Sequence, residues 1–127
     1  MSHSKIFDLD TFLSNLPKSR YFIDVMDTPT MAVGIINLKK DQEDTQQPHT
    51  SDEIYFVISV RWTGTIEIDG IKNKVNPGKI IYIPKKIHHS FHAISNELIV
   101  LYILVWNINL GTYIELKVRQ IVYLILL

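Results

Sequence analysis

The chain has 127 residues, 46% of them hydrophobic and 20% charged, a composition that suits one folded domain and excludes a disordered chain. Thirteen Lys and Arg balance thirteen Asp and Glu, so no nucleic-acid partner is expected. With no cysteine, disulfides and thiolate sites are excluded, and a metal would have to be held by His, carboxylate or amide oxygen.

Met1 to Phe7 lacks a basic stretch followed by an apolar run, so no signal peptide is expected and a cytoplasmic location follows. Asp10 is placed as the N-cap of a short helix, Thr11 to Leu16, ended by Pro17, with Phe12, Leu13 and Leu16 as its apolar face. Tyr21 to Val25 and Met31 to Leu38 are rich in β-branched and aromatic residues and read as strands separated by Thr28-Pro29. Lys39 to Gln47 is polar and reads as a solvated loop.

Further strands are expected over Glu53 to Val60 and Thr65 to Ile68, the latter leading into Asp69-Gly70, a strong hairpin signal. Ile71 to Val75 returns, Asn76-Pro77-Gly78 turns again, and Lys79 to Ile83 runs up to Pro84. His89 to Ile94 and Leu98 to Trp106 complete the series. Many short strands with regular turns predict an all-β sandwich or barrel with little helix. Beyond these, Tyr113 to Val118 alternates apolar and charged residues, and Ile121 to Leu127 is wholly apolar. A membrane span needs ~20 apolar residues, so no membrane is expected, and the segment is read as buried in an interface.

Four of the five histidines fall in two clusters, Gln47-Pro48-His49-Thr50-Ser51-Asp52-Glu53 and Pro84 to His92. Imidazole together with carboxylate is the donor set of divalent transition-metal sites. Strand alternation turns Asp52 away from Glu53 and His88 away from His89. His92 differs in parity from His89 and is at most a pocket residue. Tyr55, Phe56, Tyr82, Phe91, Tyr102 and Trp106 are read as core and subunit contacts, with Tyr82 and Tyr102 as candidates to line a small-molecule pocket. A hydrogen-bonded His–Glu pair without metal is the plainer alternative.

These clusters resemble the two motifs of the cupin superfamily of small β-barrels. In the first motif, H-x-H then E then G, His49 matches the second histidine and Glu53 the glutamate. Gln47 stands at the first histidine and Val60 at the glycine, with Gly64 as a substitute after a lengthened turn. In the second motif, Gly78, Pro84 and His89 match, while Lys86 replaces a glycine and Ala93 an asparagine.

The resemblance implies a cupin-type β-barrel (a double-stranded β-helix or jelly roll) with a short N-terminal helix. It would be a single domain over residues 1–127, with its core over 20–106 and an apolar C-terminal segment over 107–127. It also implies a homodimer and a divalent metal (Zn, Fe, Mn or Ni) held by His49, Glu53 and His89, with Gln47 as a further ligand. Tyr82, His92 and Tyr102 would line the pocket. The expected function is metal-assisted chemistry on a small oxygen-bearing metabolite, of a dioxygenase or sugar-isomerase kind. The alternative is a non-catalytic small-molecule-binding or sensing barrel with a degenerate metal site. Whether the chain is an enzyme stays open at this point.

Overall fold

The computed structural model describes residues 4–106, so His3 and the segment from Tyr113 to Leu127 lie outside the described residues. The described chain is one short helix, α1 (Leu9–Asn15), followed by eight strands. These are β1 (Phe22–Asp27), β2 (Met31–Lys39), β3 (Asp52–Arg61), β4 (Thr65–Ile68), β5 (Ile71–Lys74), β6 (Ile80–Ile83), β7 (His89–His92) and β8 (Glu97–Val105). They form two antiparallel sheets, a five-stranded one ordered β1-β2-β8-β3-β6 and a three-stranded one ordered β5-β4-β7. This is the all-β jelly-roll arrangement that the strand series and the motifs predict.

The helix begins earlier than expected. Its N-cap is Asp8, whose carboxylate accepts the Asp10 backbone N–H at 3.0 Å. Asp10 lies instead in the first turn, where a negative charge suits the exposed N–H groups of the helix end. The helix lies against β2, and β2 is buried on both faces, with Ile36 and Leu38 on one and Ile35 and Asn37 on the other.

The core fills the space between the sheets. From the large sheet come Ile36, Leu38, Tyr55, Val57, Leu98, Val100 and Tyr102; from the small one come Ile66 and Phe91, with Val75 just past β5. In β3 the burial alternates strictly at first: Glu53, Tyr55 and Val57 point inward, Ile54 and Phe56 outward. A bulge between Val57 and Ser59 against β8 then interrupts the alternation, two residues opposing one.

The same alternation corrects one expectation. Ile83 faces inward opposite Glu53, so Tyr82 points outward opposite Ile54 and is 60% exposed. It joins Ile54, Phe56 and Ile80 as exposed apolar residues of β3 and β6, away from the cavity that His49 and Glu53 line.

Among the described residues the turns carry five non-glycine residues at positive φ: Asp41, Trp62, Asp69, Lys86 and Ala93. Lys86 (φ 66°) stands where the second motif has glycine and Ala93 (φ 52°) where it has asparagine, so both replacements keep a left-handed backbone that their side chains disfavour. In the turn after β3 the left-handed residue is Trp62 (φ 73°) rather than Gly64. Gly64 serves there by its small size, since a Cβ on it would come 3.0 Å from Ile94 Cδ1.

Candidate metal centre

Glu53 is the second residue of β3, and its inward phase places a carboxylate in the space between the sheets, with its side chain 2% exposed. His89 opens β7 on the facing sheet and is equally buried. His49 lies in the loop just before β3, four residues from Glu53, and is 29% exposed at the rim. Three segments thus deliver three donors to one place. Their ligand-capable atoms all lie within 4.8 Å of one another, a group that could hold a metal ion.

The contacts within the group are informative. His89 Nε2 lies 2.8 Å from Glu53 Oε1, and His49 Nε2 lies 3.8 Å from the same oxygen. The imidazole rings of His49 and His89 are 5.4 Å apart and tilted by 48°. The Nδ1 of His89 is 2.9 Å from the Ile87 carbonyl, which can only accept, so Nδ1 must carry the proton. In a neutral His89 the Nε2 is then a lone pair beside a carboxylate. With no proton on Nε2, neither it nor Glu53 Oε1 has a hydrogen-bond partner, whereas a proton there would make the two an ion pair across the same 2.8 Å.

Burial by itself pulls the His89 pKa down. The hydrogen-bonding influence of Glu53 and the Ile87 carbonyl, together with the charges of Glu53 and Asp44, outweighs it, so the net shift is upward from 6.5. The group therefore attracts positive charge. A proton can meet that demand, and so can a metal ion.

The loop between β2 and β3 folds over the site. Asp44 anchors it: Oδ2 accepts the Phe91 N–H at 2.7 Å, a donor on the free edge of β7, while Oδ1 lies 3.3 Å from the Tyr21 hydroxyl. Next along the loop, Gln46 Oε1 accepts the Tyr55 O–H at 3.1 Å and lies 3.4 Å from His49 Nε2. Gln47, the expected further ligand, is exposed. The amide that reaches His49 belongs to its neighbour. The loop's sequence is polar throughout, so no apolar alternation marks its inward residues.

A cavity of about 400 Å³ adjoins two of the donors, His49 and Glu53. Gln46, Tyr102, Asp24 and Phe22 are among its other lining residues. Tyr102 donates its hydroxyl to the Asp24 carboxylate, and its ring passes directly over Gly34, where a side chain would collide with it. Burial foremost, then the hydrogen bond and charge of Asp24, hold the Tyr102 phenol far above its ordinary pKa of 10.

Tyr102 lines this cavity, whereas His92 lines a separate, open pocket with Phe91, Ala93 and Ile94. Phe91 takes the inward phase of β7, so His92 is exposed and meets Glu67 Oε2 at 3.3 Å on the outside. His88 is exposed too, and Asp52 accepts the Lys85 N–H at 3.0 Å. Asp24, Gln46 and Asp44 carry no motif signal and emerge only from the fold.

Comparison with known proteins agrees with this architecture. The family model of the Cupin domain matches residues 34–106. An uncharacterised protein of Streptomyces coelicolor is 39% identical over 71 residues, which cover 56% of this chain and 66% of that protein, a little under two thirds of its length. A cupin superfamily protein from Desulfitobacterium hafniense superposes with a TM-score of 0.66 at 11% identity, covering 84% of this chain and 95% of the other. Salicylate 1,2-dioxygenase from Pseudoaminobacter salicylatoxidans, in adducts with gentisate, superposes at 0.58 with 14% identity, over 66% of this chain and 24% of its own. At these identities the two structures speak for the fold alone. Among the described residues no helix is long and apolar enough to cross a membrane.

Proposed function

Because this chain belongs to the Cupin domain family, we propose that it binds a divalent transition metal between His49, Glu53 and His89 and takes a small oxygen-bearing molecule into the adjoining cavity. The observation that carries this reading is the pair of orphaned atoms, His89 Nε2 and Glu53 Oε1. With His89 neutral, two acceptor atoms face each other 2.8 Å apart in a buried place, a costly state that a cation between them relieves. Two imidazoles and a carboxylate are a fitting donor set for Zn, Fe, Mn or Ni.

When bound, the ion would supply Lewis acidity to an oxygen of the ligand. The chain's own residues do the rest. The Ile87 carbonyl fixes the tautomer of His89 and keeps its Nε2 available. Tyr102 keeps its phenolic proton on Oη and directs it to Asp24, which holds that wall of the cavity in place. The carboxylates of Asp24 and Glu53 in the lining would together balance the charge of a divalent ion, so the loaded cavity suits a neutral, hydroxyl- or carbonyl-bearing molecule. A binding or sensing role would use the same residues without turnover.

The test is elemental analysis of protein purified without added metal, followed by thermal unfolding before and after chelation. A bound ion stabilises the native state by mass action, so its removal is expected to lower Tm and its return to restore it. His89→Ala is expected to lose the ion. An unchanged melting curve after verified metal removal, with His89→Ala binding as the parent does, defeats the reading.

A further inference from the structure

We propose that the side-chain oxygen of Gln46 is a fourth donor to this site, so that the ion is held by two imidazoles, one carboxylate and one amide. The inference rests on the metal reading above and goes beyond it, because it assigns a ligand outside the positions where the cupin motifs have theirs.

The first argument is distance. Ligand atoms about 2.0–2.2 Å from a common ion lie about 3.3–3.6 Å apart in a tetrahedron and about 3 Å apart across a right angle. The separations here are 3.4 Å for Gln46 Oε1 to His49 Nε2, 3.8 Å for His49 Nε2 to Glu53 Oε1, and 2.8 Å for His89 Nε2 to Glu53 Oε1. They bracket the edges of one coordination shell. Small side-chain adjustments would equalise them.

The second argument concerns which end of the amide faces His49. The Tyr55 side chain is fully buried, and its phenolic O–H is a hydrogen-bond donor. A buried donor needs an acceptor, and Gln46 Oε1 takes the bond at 3.1 Å. That orientation leaves the amide oxygen facing His49. A carbonyl oxygen has two lone pairs, one for Tyr55 and one for an ion.

The third argument is the nitrogen of the same amide. Gln46 Nε2 is buried without a hydrogen-bond partner, and Gln46 lines the cavity beside Glu53 and Tyr102. Its N–H groups are free for an acceptor oxygen of a molecule held there. Gln46 would then serve both ion and ligand, one through its oxygen and the other through its nitrogen. An N₂O₂ donor set is also harder than an all-histidine one, which raises the relative standing of Mn and Fe.

The experiment is a competition titration of metal-free protein against a chromophoric chelator, using Zn and Mn separately. It compares the parent with Gln46→Ala, Gln46→Glu and Gln47→Ala, and the visible spectrum of the Co(II)-loaded forms reports coordination independently of activity. Gln46→Ala is expected to weaken binding by at least about tenfold, the scale that even orienting partners command. Gln46→Glu keeps an oxygen donor and should bind at least as tightly as the parent. Gln47→Ala should stay within about twofold of the parent. A parent that binds while Gln46→Ala matches it in affinity and Co(II) spectrum overturns the role of Gln46 and leaves the three-residue reading standing. Equal weakening by Gln46→Ala and Gln46→Glu overturns it as well, since loss of packing rather than of a donor would then be the cause. A parent that binds neither ion overturns both readings.

Discussion

Replacing Gly34 with alanine probes how tightly the cavity wall is built. A Cβ at this position would sit 2.1 Å from both Cζ and Oη of Tyr102 and 2.6 Å from the Ile23 carbonyl oxygen. Carbon atoms in ordinary contact are about 3.5–4.0 Å apart, so the phenol must retreat by roughly 1.5 Å. The Ile23 oxygen cannot easily follow, because Ile23 pairs with Ile35 in the β1–β2 ladder. Overpacking of this kind costs about 1–3 kcal/mol. Displacing the ring also parts Tyr102 from Asp24, and a hydrogen bond to a charged group contributes about 1.5–3 kcal/mol, the lower end applying to a partly exposed pair. Together Gly34→Ala should destabilise the protein by about 2–5 kcal/mol, a large share of the ~5–15 kcal/mol that holds a typical domain folded. Urea unfolding measures the cost. In a Tyr102→Ala background most of the collision is gone, and the penalty should fall by at least about 1 kcal/mol, as expected for residues in contact. A cost below about 1 kcal/mol, or the same cost in both backgrounds, would refute the packing argument.

Two further outcomes are expected from the backbone and from the buried phenols. Lys86→Gly should raise stability by about 0.5–1 kcal/mol, because a left-handed lysine costs about 1–2 kcal/mol and glycine gives back part of that through its freer unfolded chain. The Lys86 N–H donates to the His49 carbonyl at 2.6 Å and remains in the variant, so a drop in Tm would show that the lysine side chain itself matters. Tyr55 and Tyr102 both titrate above 10 in the folded protein, so their contribution to stability is complete below pH 10 and is lost as pH rises beyond it. Absorbance at 295 nm should therefore show these two phenols ionising only with loss of the far-ultraviolet circular dichroism of the fold. Asp24→Asn should bring the Tyr102 transition down, and ionisation of both phenols near pH 10 with the fold intact counts against the assignment.

What the sequence disclosed follows from motif spacing rather than from alternation. In β3 the residues after Glu53, Ile54-Tyr55-Phe56-Val57-Ile58, are an unbroken apolar run, and the motif spacing that pairs Glu53 with His49 and His89 is what made the three donors legible together. In β6 the run Ile80-Ile81-Tyr82-Ile83 is apolar throughout, and only the register against β3 reveals that Tyr82 faces out. The helix start was ambiguous because two aspartates, Asp8 and Asp10, both suit an N-cap, and the geometry chose the earlier. Gln46 and Gln47 are chemically identical neighbours in a loop without periodicity. The fold separates them: Gln46 is half-buried and bonded to Tyr55, while Gln47 is exposed. At Lys86 and Ala93 the motif's backbone conformation survives although its residues do not, so a missing glycine was a poor guide to a missing turn.

The position of β8 has a consequence for how the chain comes together in time. It is the middle strand of the large sheet and the last of the eight described strands to be synthesised, and Val105 pairs with Met31 on one side and with Asp52 on the other. The β1–β2 hairpin can form early, but β2 and β3 have no connection within the sheet until β8 slots between them. Such distant pairings cost loop-closure entropy before they return any contact, so folding should be slow and limited by this insertion. Until then the growing chain presents two unpaired strand edges flanked by apolar faces, the condition under which neighbouring copies capture one another. Slower synthesis at lower temperature should accordingly raise the soluble yield, and a strand equivalent to β8 supplied in trans should compete for the open gap.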